Sequence, residues 1–530
     1  MNHTPLDSVW LHVGTRRQFF FDDLMLEQVQ DVTRRYHHPT RKAAKPMIKA
    51  DQPWEHVTYF TYNAWNVIYD IEVDLFKCFY EDWTIDAPQK SPTWISDTDG
   101  KFCVDFHGRF PSRLCYAQSK DGLQWEKPPL GRVYENGRNT NIVIGGEQVG
   151  TAHSTYVLHD TTDPDKQKRF KAIFEHRRLS GGNDMAGEGH YRVAYSPDGI
   201  DWDITDRPIR FGHCGDVLGD VATLIRHPET QFYWANTRHF RMCSSTIQDR
   251  RKPVQPSWIC PTPLHRRAQQ NLRRIFRMES VDLFNWTTPQ PMLAPDNEWD
   301  NIDDAFYGME QFQIGEDWLG FLNVFHMADN TMDVQLVYSR DGQQFSRVQP
   351  GRPWHSTGQE GQWDQHMVNI TSKPFVVGEE HYVYYGGARN HHDWWIVGAN
   401  EGLDVPEAHD MNLVDYGLGL ATIKRDRFVS IGAAEAREGV VVTPAVFSNG
   451  RRLVVNVLVH NGGSLRVAVA DGHDNVFDGF TREDCHPLTG DFIAETVRWK
   501  QGAILPIGDV KKLHFYLKHA DLFSFEFVED

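Results

Sequence analysis

Short runs rich in Val, Ile, Phe and Tyr alternate with polar turns along the whole chain, and helical spacing is scarce. Residues 15–27 predict a strand, a turn at Asp22-Asp23 and a short continuation. Trp54 to Tyr80 predicts two strands, and Trp83 to Pro111 reads as a long loop of functional rather than connecting character. Paired strands follow at Thr155–His159 with Phe170–Phe174, Val221–Ile225 with Phe232–Ala235, Phe312–Ile314 with Trp318–Phe325, and Asn369–Ser372 with His381–Tyr385. Five strands open such groups, near residues 57, 153, 221, 305 and 367. The run Gly417–Ser430 reads as the last outer strand of this region. From Glu438 onward, alternating strands at Val440–Thr443, Leu453–Leu458, Leu465–Val469, His514–Leu517 and Phe523–Phe527 carry a β-sandwich signature.

A turn phrase gives this pattern its architecture. It occurs at Ser119-Lys-Asp121-Gly122-Leu-Gln-Trp125, Ser196-Pro-Asp198-Gly199-Ile-Asp-Trp202, Ser280-Val-Asp282-Leu-Phe-Asn-Trp286 and Ser339-Arg-Asp341-Gly342-Gln-Gln-Phe345. Ser and Asp side chains accept hydrogen bonds from backbone N–H groups in a tight turn, and Gly supplies the positive φ. The closing aromatic can pack between neighbouring sheets. Copies roughly 60 to 85 residues apart suit four-stranded blades rather than a helical repeat. The chain therefore reads as all-β, a five-bladed β-propeller over residues 1–431 followed by a β-sandwich over 432–530.

Composition narrows the partners. Net charge is −17 without a dominant basic tract, which argues against nucleic acid. No stretch is apolar enough to cross a membrane as a helix, and the first residues lack an export signal, so a cytoplasmic location is expected. Seven cysteines without a CxxC pair argue against a disulfide framework or a zinc ribbon. No cofactor or metal is expected, and a homo-oligomer is compatible with the sequence. The 17 Trp suit carbohydrate, whose rings stack on indole faces, although large sheet cores also use aromatics.

In a propeller the start of each blade's first strand faces the axial pocket. Those starts carry Asp51 and Glu55, His153, Asp216 and Asp220, Asp304 with Glu310 further on, and Trp363, Asp364 and His366. Convergent carboxylates suit glycosidic cleavage, in which one protonated acid serves the leaving oxygen and an ionised one attacks or activates water. Asp220 and Asp364 are the ionised candidates; Asp304 or Glu310 is the proton donor. Arg389, His391 and Trp394 extend the set as sugar-binding candidates. Adjacent His391, His392 and Asp393 point apart on a strand and cannot easily close a metal site by themselves.

Further strings resemble a known group. Cys115-Tyr-Ala-Gln-Ser-Lys-Asp-Gly-Leu-Gln-Trp-Glu-Lys-Pro, Phe306-Tyr-Gly-Met309, Gly361-Gln-Trp-Asp364, Phe20-Phe-Asp-Asp23 and Tyr384-Tyr-Gly-Gly387 resemble the glycoside hydrolase family 32-like five-bladed propellers. So do the C-terminal strings Gly479-Phe-Thr-Arg-Glu-Asp-Cys485, Val497-Arg-Trp-Lys500 and Lys518-His-Ala-Asp-Leu-Phe-Ser-Phe525. The resemblance implies three acids and a glycoside hydrolase. The Asn-Asp-Pro, Arg-Asp-Pro and Glu-Cys-Pro strings of invertase-like members do not occur here. The expectation is hydrolysis of a glycosidic bond in a carbohydrate substrate. A non-catalytic carbohydrate-binding propeller and a glycoside phosphorylase are the alternatives. Acids paired to arginines would favour binding alone.

Overall fold

The computed structural model describes residues 10–83, 95–96, 102–103, 112–145, 151–177, 191–207, 209–212, 222–238, 273–296, 298–301, 303–395, 404–408 and 410–529. The five expected blades are present. Blade one runs through Val57–Thr58, Trp65–Asp70, Leu75–Trp83, Ser112–Ser119 and Ile142–Ile144. Blade two holds Thr151–His159, Phe170–Arg177, Tyr191–Ser196 and Asp203–Ile204. Blade three holds Ala222–Arg226, Tyr233–Arg238, Ile275–Ser280, then Asn285–Trp286 and Gln290–Leu293, with Arg210–Phe211 outermost, parallel to Asn285–Trp286. Blade four holds Asp304–Ile314, Asp317–His326, Thr331–Ser339 and Ser346–Arg347.

Blade five is built from both ends of the propeller. Met367–Asn369, Phe375–Val377, Glu380–Ala388 and Tyr416–Lys424 come from its own stretch. Its outermost strand is N-terminal: Thr40–Arg41 pairs with Ala421–Thr422, and Ile48–Lys49 with Gly417–Leu418. The run beginning at Gly417 is thus a third strand, not the outer one expected. Pairing the propeller's two ends in one sheet closes the ring and covers the edge of Tyr416–Lys424.

The turn phrase behaves as its chemistry dictates. Ser119, Ser196 and Ser339 Oγ accept from the N–H of Gly122, Gly199 and Gly342 at 2.8–3.0 Å. Each Asp Oδ1 accepts from two further backbone N–H groups, as Asp198 does from Ile200 and Asp201. Gly199 has φ 80°, and a Cβ there would lie 2.7 Å from Phe79 of the neighbouring blade. In the copy without Gly, Leu283 occupies the positive-φ position at 68°. The closing aromatics pack across sheets, Trp125 5.8 Å from Tyr384 and Trp202 6.2 Å from Phe79.

The second body does not start at residue 432. Leu11–His12, Gln18–Phe19, Gln28–Gln30 and Val32–Tyr36 pair with Val446–Phe447, Ser524–Phe525, Val440–Val442 and Val429–Ala433. Residues 11–36 and 429–431 thus leave the expected 1–431 unit. Four of the expected C-terminal strands are halves of two 19-residue strands, Arg452–Ala470 and Val510–Val528, which pair through register shifts near Val459 and Ser464. The glycines at 462–463 mark a bulge rather than a chain reversal. Alternation at Phe19-Phe20-Phe21 couples the two bodies. Phe20 packs into the core of the C-terminal body, and Phe19 and Phe21 join a core made by blades four and five. Burying each ring is worth about 2–3 kcal/mol.

Candidate active site

First strands start, second strands end and third strands begin on one face of the propeller. In four blades the connection there is long: Trp83 to Ser112, Arg177 to Tyr191, Arg238 to Ile275 and Ala388 to Tyr416. Loops gathered around one mouth of a rigid scaffold are where substrate contacts collect.

Two carboxylate–imidazole pairs lie at this face. Glu81, at the end of blade one's second strand, is fully buried. It accepts from Trp83 Nε1 at 3.0 Å and Thr155 N at 3.1 Å, and lies 3.1 Å from His153 Nδ1. A bulge between His153 and Tyr156, with Ser154 at φ 51°, turns both His153 and the Thr155 N–H toward it. In blade four Asp304 Oδ1 lies 2.6 Å from His326 Nδ1, and Asp304 Oδ2 accepts from Asn301 N at 2.8 Å. His326 Nε2 lies 3.2 Å from Asp333. Burial opposes the imidazolium, but hydrogen bonds with Asp304 and Asp333 outweigh it and push its pKa up to about 10.

A cationic and aromatic wall joins the blades. The guanidinium groups of Arg238 and Arg273 lie 3.8 and 4.7 Å from the Tyr307 ring centre. Tyr307 Oη is 2.9 Å from His392 Nε2. The Tyr416 hydroxyl donates to the His392 carbonyl at 3.1 Å and accepts from Trp395 Nε1 at 2.9 Å. Tyr59 then packs at a tilt against Trp83, ring centres 4.2 Å apart, which returns the wall to Glu81.

The expected site residues divide. Asp304 is at this face, but it accepts hydrogen bonds, which is not the position of a proton donor. Glu310 is six residues further along the same strand, roughly 20 Å away, so the two cannot serve one bond. Asp364 is 1% exposed and accepts from Arg41 Nε at 2.7 Å and the Tyr385 hydroxyl at 3.1 Å. Arg41 belongs to the outermost strand of blade five, so Asp364 secures the ring closure instead of attacking substrate. Trp363 stacks on Tyr385 at 5.6 Å. Glu55 accepts from Lys127, the Tyr80 hydroxyl and the N–H groups of Asp51 and Gln52, and Asp51 pairs with the same lysine. Both therefore hold a loop.

His391 is sandwiched by His366 at 3.8 Å and Trp394 at 4.1 Å and bonds Glu407. Burial and the neighbouring His391 lower His366 to about 4. The Arg389 side chain is exposed. Asp216 and Asp220 lie outside the described residues. Glu81, Arg238, Arg273 and His326 carry no sequence expectation because they do not lie on first strands. Their signal is polarity where a second strand ends or a third begins, on the same face.

No family model and no curated protein matches the chain. Among solved structures it is similar to BT0996 in an RGII complex, with TM-score 0.41, 12% identity, and coverage of 76% of this chain and 94% of that one. It is also similar to a β-1,2-mannobiose phosphorylase from Listeria innocua, with TM-score 0.40, 11% identity and coverage of 73% and 97%. An N-acetylgalactosamine deacetylase from F. plautii has TM-score 0.40, 13% identity and coverage of 75% and 96%. Likenesses this distant leave the chemistry to the chain's own side chains. Among the described residues no group of three or more His, Cys, Asp or Glu side chains could hold a metal, and no helix is long and apolar enough to cross a membrane.

Proposed function

We propose that the chain cleaves a glycosidic bond at the face where the first strands start. The supporting observation is that two buried carboxylates there, Glu81 and Asp304, are each paired with a histidine rather than an arginine. A carboxylate locked to a guanidinium is spent on structure, whereas the His153 imidazole on Glu81 can exchange a proton; His326, raised to about 10 between Asp304 and Asp333, stays a cation that holds charge in place. Glu81 orients His153, which exchanges a proton with the departing oxygen. Asp304 and Asp333, which together outweigh the single imidazolium between them, supply negative charge toward the oxocarbenium-like transition state, and water attacks the anomeric carbon and returns a proton to His153. Tyr59, Trp83 and Trp395 pack on one another in the core beneath this face and hold the Glu81 strand end in place.

One observation favours phosphorolysis as the second reading: Arg238 and Arg273 converge on Tyr307 beside His392, a cationic corner suited to a phosphate acceptor. The test is a screen of aryl glycosides and oligosaccharides with and without inorganic phosphate, reading free sugar against sugar 1-phosphate. Glu81→Gln and Asp304→Asn should each abolish the product formed. Turnover unchanged in both variants removes the assignment.

A further inference from the structure

The opposite mouth of the axial channel holds a separate cavity of about 470 Å³, a size suited to a small molecule. All five blades line it with the far ends of their first strands. Glu310 is 4% exposed; its Oε1 accepts from the Tyr156 hydroxyl at 3.0 Å, and its Oε2 has no hydrogen-bond partner among the described residues. Arg226 lays its guanidinium on Tyr233 at 4.2 Å, and its Nε and Nη1 have no hydrogen-bond partner among the described residues. Asp160 lies 3.8 Å from Arg226 but is already engaged by Lys171 and the hydroxyls of Tyr233 and Thr162. Lys373 opens onto the same cavity.

Arg226 and Lys373 therefore bring N–H donors to this space that Asp160, already engaged, does not meet. Burial drives the Glu310 carboxyl above its ordinary range against the pull of the Lys373 ammonium, which favours a hydrogen-bonding role for it here. An unpartnered polar atom in so buried a side chain is costly unless a ligand or solvent meets it.

We propose that this cavity binds a small organic anion, a carboxylate on a compact hydroxylated body. Arg226 and Lys373 hold the acid group, and a hydroxyl of the ligand meets Glu310. Sharing the strand Asp304–Ile314 with the start face, the cavity faces the other end of the channel and does not depend on the cleavage proposed there.

Isothermal titration of the full chain with gluconate tests the proposal. Saturable binding is expected, weakened at least tenfold in Arg226→Met and in Lys373→Met, and unchanged in Glu81→Gln and Asp304→Asn. Glucose, which lacks the acid, should not bind. Lys373 is exposed, so its variant keeps the fold if Arg226→Met does not. Absence of gluconate binding overturns the proposal. So does binding that ignores both cation variants, binding lost in Glu81→Gln, or inorganic phosphate binding as tightly as gluconate.

Discussion

Glu81 Oε2 and His153 Nδ1 stand 3.1 Å apart across the boundary between blades one and two. The pair joins the end of one blade's second strand to the start of the next blade's first, so each group is oriented by a different sheet. His153→Gln should lower kcat/KM by about 100-fold or more, the usual loss of a general acid or base, with a melting temperature close to that of the wild type. Equal losses of activity and stability would make the residue structural only.

His326 predicts a pH dependence with a definite sign. Its folded pKa is raised from 6.5 to about 10, so protonation favours the folded state. That stability is complete below pH 6.5 and is lost as pH rises through about 10. Urea denaturation at pH 7 and pH 10 should show a loss of a few kcal/mol in the wild type. His326→Gln should flatten that difference. A variant with the same pH slope as the wild type would show that Asp304 and Asp333 do not hold the proton.

Arg41 and Asp364 make the closure of the ring testable apart from catalysis. Arg41→Met leaves a buried carboxylate without its cation and should cost about 2–4 kcal/mol in urea denaturation. Asp364→Asn should keep kcat within about twofold of wild type, whereas loss of a true catalytic carboxylate costs orders of magnitude. A large fall in kcat with stability preserved would return Asp364 to the chemistry.

Gly199 predicts a packing effect. Gly199→Ala combines a positive φ with a Cβ 2.7 Å from Phe79. It should destabilise the fold by about 2–4 kcal/mol, read from the shift in urea midpoint. A neutral substitution would mean that the turn does not clamp blade two on blade one.

The blades were legible because their causes are local. Period-2 alternation marks each strand, and Ser-x-Asp-Gly closes its own turn through side chains two or three residues from the backbone groups they bond. The candidate site was legible in part. Asp304 and His153 announced themselves as polar starts of first strands, but nothing near Asp364 in the chain reveals Arg41, which lies 323 residues away. Likewise, nothing in Phe79-Tyr-Glu-Asp-Trp83 says that Glu81 meets the next blade.

The sequence alone determined the all-β class, the number of blades and the face on which their first strands begin. Tertiary structure decided which acids are spent on structure and which face the mouth, where the ring closes, and that residues 11–36 belong with the C-terminal sheet. The division is physical. Turn and strand chemistry acts within a few residues, whereas a carboxylate's role is set by whichever cation, imidazole or N–H group folding brings within about 3 Å, and those partners come from other strands and other blades.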